Sequence, residues 1–192
     1  MNAPERAGDL HDKTLEAAFP AGRWRVLPER SRVGFKVKKM GFYYVKGNFS
    51  GVEGTIDRNG RSELVIDAGS ISTRMPPRDW HLRTADFLAV KRHPEIRVSA
   101  ESVRPAADGA VVTVAEFDLH GARRPVELRG HLHAPRGDDR NGAPRLLLRL
   151  EGTLDRRDFG IRARPPVEWV VARNVLVDVE LALAPADESP SG

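Results

Sequence analysis

Val175, Val177, Val179, Leu181 and Leu183 fall at every second position, with Asp178 and Glu180 among the residues between them. Such spacing suits an extended strand, because successive side chains of a strand point to opposite faces. The same alternation recurs along the chain. Val33, Phe35 and Val37 are interleaved with Gly34, Lys36 and Lys38; Leu64 and Ile66 lie between Glu63 and Asp67. Ile96, Val98 and Ala100 alternate with Arg97 and Ser99; Val126, Leu128 and Leu132 oppose Glu127, Arg129, His131 and His133; Leu146, Leu148 and Leu150 oppose Leu147, Arg149 and Glu151. Strands with one apolar and one wet face belong to antiparallel sheets, not to the doubly covered sheets of βαβ units.

Turn chemistry separates these runs. Asp57-Arg58-Asn59-Gly60 and Ala107-Asp108-Gly109 are hairpin signals, since Asn and Gly accept positive φ at little cost. The stretch from Pro135 to Pro144 reads as a longer loop. Roughly eight half-wet strands at this spacing predict an all-β fold, an eight-stranded antiparallel barrel that removes its own edges and can hold one small ligand. A sandwich is the competing arrangement.

Composition narrows the function more than the fold. The 192 residues suit one domain and a core that needs no staples. With no cysteine, disulfides and thiolate metal sites are excluded. The 31 basic residues are mixed with 27 acidic ones along the chain, so the net charge of +4 describes a solvated mixed surface. No apolar run of about 18 residues is present to form a transmembrane helix. Met1 to Phe19 carries Glu5, Asp9, Asp12 and Glu16 and no apolar h-region, which reads as a cytoplasmic chain without a secretory signal. Residues 1–22 are expected as a loosely ordered extension with at most a short helix over Asp12–Phe19. Residues 23–184 are expected as the barrel and 185–192 as a tail.

Three blocks interrupt the strand pattern: Arg78-Asp79-Trp80-His81-Leu82-Arg83-Thr84-Ala85-Asp86-Phe87, Asp118-Leu119-His120-Gly121-Ala122-Arg123-Arg124-Pro125-Val126, and Asp155-Arg156-Arg157-Asp158-Phe159-Gly160-Ile161. The first predicts a short helix opened by Asp79, whose carboxylate would cap the exposed N–H groups after the extended Met75-Pro76-Pro77. Within the last, Arg157-Asp158-Phe159-Gly160 reads as a tight, salt-bridged turn with Phe159 as an anchor. In this order and spacing the blocks resemble the YceI-like family, over roughly Trp24 to Leu183. The resemblance implies a lipocalin-like barrel with the helical insert near one end, and binding of polyisoprenoid lipids. It further implies an apolar tunnel lined by Val33, Phe35, Val37, Met40, Phe42, Phe49, Trp80, Leu82, Phe87, Phe117 and Phe159. Arg78, Asp79 and His81 would stand at its mouth to meet a head group. Where the family usually continues to an aromatic after His93-Pro94, this chain has Ile96 and Val98.

Two other readings compete. Phe35 to Phe49 interleaves aromatics with Lys36, Lys38, Lys39 and Lys46, as sheets that bind single-stranded nucleic acid do. Phe35 nevertheless continues the apolar stripe of Val33 and Val37, so nucleic acid is not the expected partner. A small acid–base enzyme would use Asp118 and His120, two apart on one strand face. His131 and His133 share a face, but their neighbours Arg129 and Arg136 are cationic and no carboxylate completes a metal set. No nucleophile elbow, phosphate loop or zinc-protease motif occurs. The expectation is therefore a protein without catalysis, metal or cofactor. Its role would be to bind, store or transfer a long-chain polyisoprenoid or isoprenoid quinone, with a homodimer left open as its assembly.

Overall fold

The computed structural model describes residue 19 and residues 22–134, 146–162, 164–165 and 167–186. The expectations for the N-terminal extension, the Asp12–Phe19 helix, the Pro135–Pro144 loop and the extreme C-terminus otherwise fall outside the described residues. Phe19 is itself described, and it is buried in the core.

The alternating runs form strands β1 (Arg23–Val26), β2 (Arg32–Lys39), β3 (Tyr43–Phe49), β4 (Val52–Asp57), β5 (Ser62–Asp67), β6 (Glu95–Ala100), β7 (Arg104–Pro105), β8 (Val111–Leu119), β9 (Ala122–His133), β10 (Leu146–Asp155) and β11 (Val171–Pro185). All pairings between them are antiparallel. β1 and β2 are separated by the short 3-10 turn Pro28–Arg30, and β3 and β4 by Ser50 and Gly51 alone. Each pair behaves as one bent strand. With the two-residue β7 set aside, eight strands follow one another around a ring that β11 closes onto β1.

Closure depends on the length of β11. Its first part, Val171 to Glu180, pairs with β2; its last residues, Leu183 to Pro185, pair with β1. Its other edge runs along β10 from Asn174 to Leu183. Inward positions follow the predicted parity on β10, where Leu146, Leu148 and Leu150 are buried, and β8, for which no alternation was read, buries Val111, Thr113, Ala115, Phe117 and Leu119 in the same way.

The connection from β5 to β6 carries helix α1 (Pro76–Leu82), and a four-residue helix α2 (Val167–Val170) precedes β11. α1 starts three residues earlier than the sequence reading placed it. Pro76 and Pro77 occupy its first positions, where no N–H is needed, and Met75 precedes them in an extended conformation. Asp79 is therefore inside the helix and is not its N-cap. α2 was not anticipated. β2 and β3 meet in a three-residue loop, Met40 to Phe42, with Met40 at φ 53° and Gly41 at φ 78°. The Met40 N–H donates to the Val170 carbonyl at 2.7 Å, which ties the hairpin tip to α2.

Leu183 tests the closure, because it pairs with Val26 on one side and Leu146 on the other and is fully buried. Leu183→Ala should cost about 2–5 kcal/mol, the range for deleting a buried leucine side chain. Urea denaturation would measure it, and a loss below that range would mean that the seam relaxes freely.

Candidate functional site

A cavity of about 320 Å³ occupies the end of the barrel that carries the β2–β3 hairpin, α1 and α2. Toward the β1 end the free space falls to a void of about 30 Å³, and side chains such as Ile56, Leu64 and Leu181 fill the rest. The two spaces share Val33, Ile66 and Phe117 as walls. One barrel thus holds a packed half and a hollow half.

Of the predicted tunnel residues, Val33, Phe35, Val37, Phe49, Leu82, Phe87 and Phe117 are on the cavity wall. Gly47, the cross-strand partner of Phe35, leaves room for its ring: a Cβ there would stand 2.5 Å from Phe35 Cζ. The other four lie elsewhere. Met40 and Phe42 are 60% and 77% exposed, because they sit in the hairpin loop where strand parity ends. Trp80 is 70% exposed. Arg78, His81 and Leu82, spaced i, i+3 and i+4, form the face of α1 that reaches the wall, and Trp80 lies opposite. Phe159 is buried in the core from the turn after β10 and is not among the wall residues.

Of the predicted mouth residues, Arg78 and His81 are on the wall and Asp79 is not. The buried Asp79 carboxylate accepts hydrogen bonds from both the Thr73 N–H (2.8 Å) and the Thr73 hydroxyl. Arg78 donates to the same residue, from Nε to Thr73 Oγ1 at 2.7 Å and from Nη2 to the Thr73 carbonyl at 3.0 Å. Arg83 donates to the carbonyls of Gly69 and Ile71. These bonds hold α1 against the segment that leaves β5. Burial pushes the Asp79 pKa up, but the Thr73 hydrogen bonds and the Arg83 and Arg78 charges outweigh it and hold the carboxyl below its usual range.

The polar part of the wall is one-sided. Among the described residues it carries Lys39, Tyr43, Arg78, His81 and Arg156, and no carboxylate. His81 packs edge-on against Phe87, and its Nε2 lies 3.5 Å from Asp86, which also meets Arg164 at 3.0 Å behind the wall. Arg156 is 4% exposed and donates to the carbonyls of Ile161, Val171 and Ala172, fastening the turn after β10 to the start of β11. Sequence reasoning missed Arg156, since its acceptors come together only in the fold. The expected tight turn forms through backbone bonds, from the Phe159 N–H to the Arg156 carbonyl and from the Gly160 N–H to the Arg157 carbonyl, and Asp155 before it lies 3.7 Å from Arg173. It also missed Val45, Ile71, Leu88, Ile161 and Val167. Ile66, Ile96 and Val177 were legible as inward, but alternation does not say whether an inward residue meets a cavity or a core.

The acid–base pair is not assembled. His120 sits in the β8–β9 turn at φ 55°, with Nδ1 3.1 Å from the Phe159 carbonyl oxygen and its ring beside His93. Asp118 instead accepts from Arg123 Nε at 3.0 Å. His131 and His133 stack loosely on the exposed face of β9, and no group of three or more metal-ligating side chains occurs among the described residues. No described helix is long and apolar enough to cross a membrane.

Asp79→Ala would leave the buried Thr73 donors without their acceptor and should cost about 1–3 kcal/mol near neutral pH. Because folding lowers the Asp79 pKa, its contribution is present above the unfolded value of about 3.9. It disappears as pH falls through the folded value. Urea melts of both proteins should therefore differ at neutral pH and converge in acid. Equal stability at neutral pH would show that Thr73 and Asp79 do not hold α1.

Comparison with known proteins agrees with this architecture. The YceI-like domain matches residues 24–183. The chain is 31% identical over 151 residues to the UPF0312 protein ECA1782 of Pectobacterium atrosepticum, covering 73% of this chain and 78% of that protein. It is 31% identical over 136 residues to protein YceI of Escherichia coli, covering 68% and 70%. Two solved structures share the fold at lower identity. A polyisoprenoid binding domain from Saccharophagus degradans, implicated in plant cell wall breakdown, is 17% identical with a TM-score of 0.65, covering 84% of this chain and 98% of that one. BcnA of Burkholderia cenocepacia is 16% identical with a TM-score of 0.69, covering 82% and 98%. The hollow barrel with its inserted helix is a member of the YceI-like family.

Proposed function

We propose that the protein binds a long-chain apolar lipid, a polyisoprenoid or isoprenoid quinone, within the barrel and stores or transfers it without catalysis. The observation that carries this reading is the 320 Å³ cavity, whose wall is mostly Val, Leu, Ile and Phe and whose polar groups are Lys39, Tyr43, Arg78, His81 and Arg156. An isoprenoid chain suits such a wall, because each buried CH₂ contributes about 0.8 kcal/mol and needs no directional partner. A head group bearing acceptor oxygens, such as a quinone or a phosphate, would meet donors at Arg78 and His81, with no carboxylate among the described wall residues. The polyisoprenoid binding domain of Saccharophagus degradans, which has the same fold, supports the lipid class. The separation of His120 from Asp118 supports binding over acid–base chemistry.

Val37 is half-buried on the cavity wall. Val37→Trp would place an indole in free space, where it should cost less than the ~1–3 kcal/mol typical of overpacking a filled core. The expected result is a folded protein that has lost its lipid. Native mass spectrometry of protein purified from its own host, followed by organic extraction, reads both variants. An apolar lipid on the wild type that is absent from Val37→Trp supports the reading. Retained nucleotides, or an equal lipid load on both proteins, would sink it.

A further inference from the structure

The nine large hydrophobic side chains that are most exposed among the described residues are not scattered. Met40, Phe42, Tyr43 and Tyr44 are on the β2–β3 hairpin, Met75 and Trp80 are at α1, and Trp169 is on α2. These are the three elements around the open end of the cavity, and Met40 and α2 are joined by a hydrogen bond. Leu176 lies beside the same hairpin, opposite Lys36, so only Val114 is elsewhere. Trp169 and Phe42 are each more than three-quarters exposed. Isolated apolar residues on a surface need no explanation, but a cluster around an opening does.

On the β2–β3 hairpin the charge has one sign. From Arg30 to Val52 there are six basic residues and no Asp or Glu. Lys36 and Lys46 face each other across the β2–β3 pair, an arrangement that destabilises a hairpin. Lys38 stands over the Tyr44 ring at 5.8 Å. Among the described residues, none of these lysines has an ion-pair partner within 4.0 Å.

From this arrangement we infer that the open end of the barrel is a membrane-docking surface for anionic bilayers. Phe42, Trp80 and Trp169 enter the boundary between head groups and acyl chains, where amphipathic rings are favoured. Lys36, Lys38 and Lys46 lie over anionic head groups. A second copy of the chain is a poorer occupant. A two-fold interface would set the same uncompensated lysines on both sides of it. Single-stranded nucleic acid is poorer too, because its bases need rings along one groove, whereas these stand on three elements around an apolar opening. The docking face goes beyond the lipid-binding reading, and it would give a lipid a path between bilayer and cavity that avoids water.

Flotation with vesicles of phosphatidylcholine alone, or mixed with phosphatidylglycerol, tests it. The wild type should float with the anionic vesicles, bind them less as salt rises, and shift its tryptophan emission to the blue. Trp24, being buried, should report no change. Replacing Lys36, Lys38 or Lys46 by Ala should weaken binding about fivefold per lysine. The triple variant Phe42→Ser, Trp80→Ser, Trp169→Ser should weaken it by at least roughly tenfold. None of these six residues lines the cavity, so the lipid found by native mass spectrometry should stay unchanged in every variant. That separates failure of docking from failure of lipid binding. Three results would overturn the inference. One is a wild type that does not float with anionic vesicles at low salt. Another is flotation that survives the triple substitution. The third is a lysine-dependent complex with oligo-dT, or a dimer dispersed by the triple substitution, in place of vesicle binding.

Discussion

The long last strand is the constraint on which the rest depends. β11 is hydrogen-bonded to β10 along one edge, and along the other to β2 and then to β1. No shorter strand could reach both halves of the bent first strand. Without it the sheet would have two free edges and the inward stripes would face solvent. With it, Leu183 is fully enclosed and the stripe from Val177 to Leu183 becomes core.

Closure also creates the difference between the two ends. Where β1 and β4 belong to the ring, large side chains interdigitate and little space is left. Where β2 and β3 continue, Gly47 leaves room for the Phe35 ring against its own strand pair, and valines face a space they do not fill. α1 covers this end from the side. It is held by Thr73, Asp79, Arg78 and Arg83, and not by its own length, since seven residues are too few for an isolated helix. Its Arg78 and His81 then reach the wall while Trp80 points away. The same residues that secure the helix therefore orient the polar edge of the cavity. The cavity thus combines a mostly apolar wall with donors and, among the described residues, no carboxylate.

Much of this was legible in the sequence. The period-two runs placed β2, β5, β6, β9, β10 and β11 with their inward faces, because a strand offers only two directions for a side chain, while β1, β3, β4 and β8 were not read from alternation. The Asp57–Gly60 and Asp108-Gly109 turns formed as their residue types require, with Gly60 and Gly109 at positive φ. The resemblance placed Met40 and Phe42 inside, whereas the stripe of Val33, Phe35 and Val37 leaves the even positions outward, and on the hairpin loop both side chains are outside. The resemblance placed Trp80 inside as well, and it is outside for a different reason. The register of α1 against the barrel is set by Asp79 and Arg78 bonding Thr73, six and five residues back, and no periodicity within the helix encodes it.

The sequence by itself determined an antiparallel all-β chain, the inward set of six of its strands and the family. These are local properties, carried by alternation, turn residues and three short blocks. Only the tertiary structure decided that one half of the inward set packs and the other half encloses space, since that depends on which side chains meet across the ring. It also decided that Arg156 is buried, because its acceptors at Ile161, Val171 and Ala172 are brought around it only when the turn after β10 folds onto the start of β11. The grouping of Phe42, Trp80 and Trp169 around one opening has the same cause: residues far apart in sequence become neighbours when closure brings their three elements to the same end.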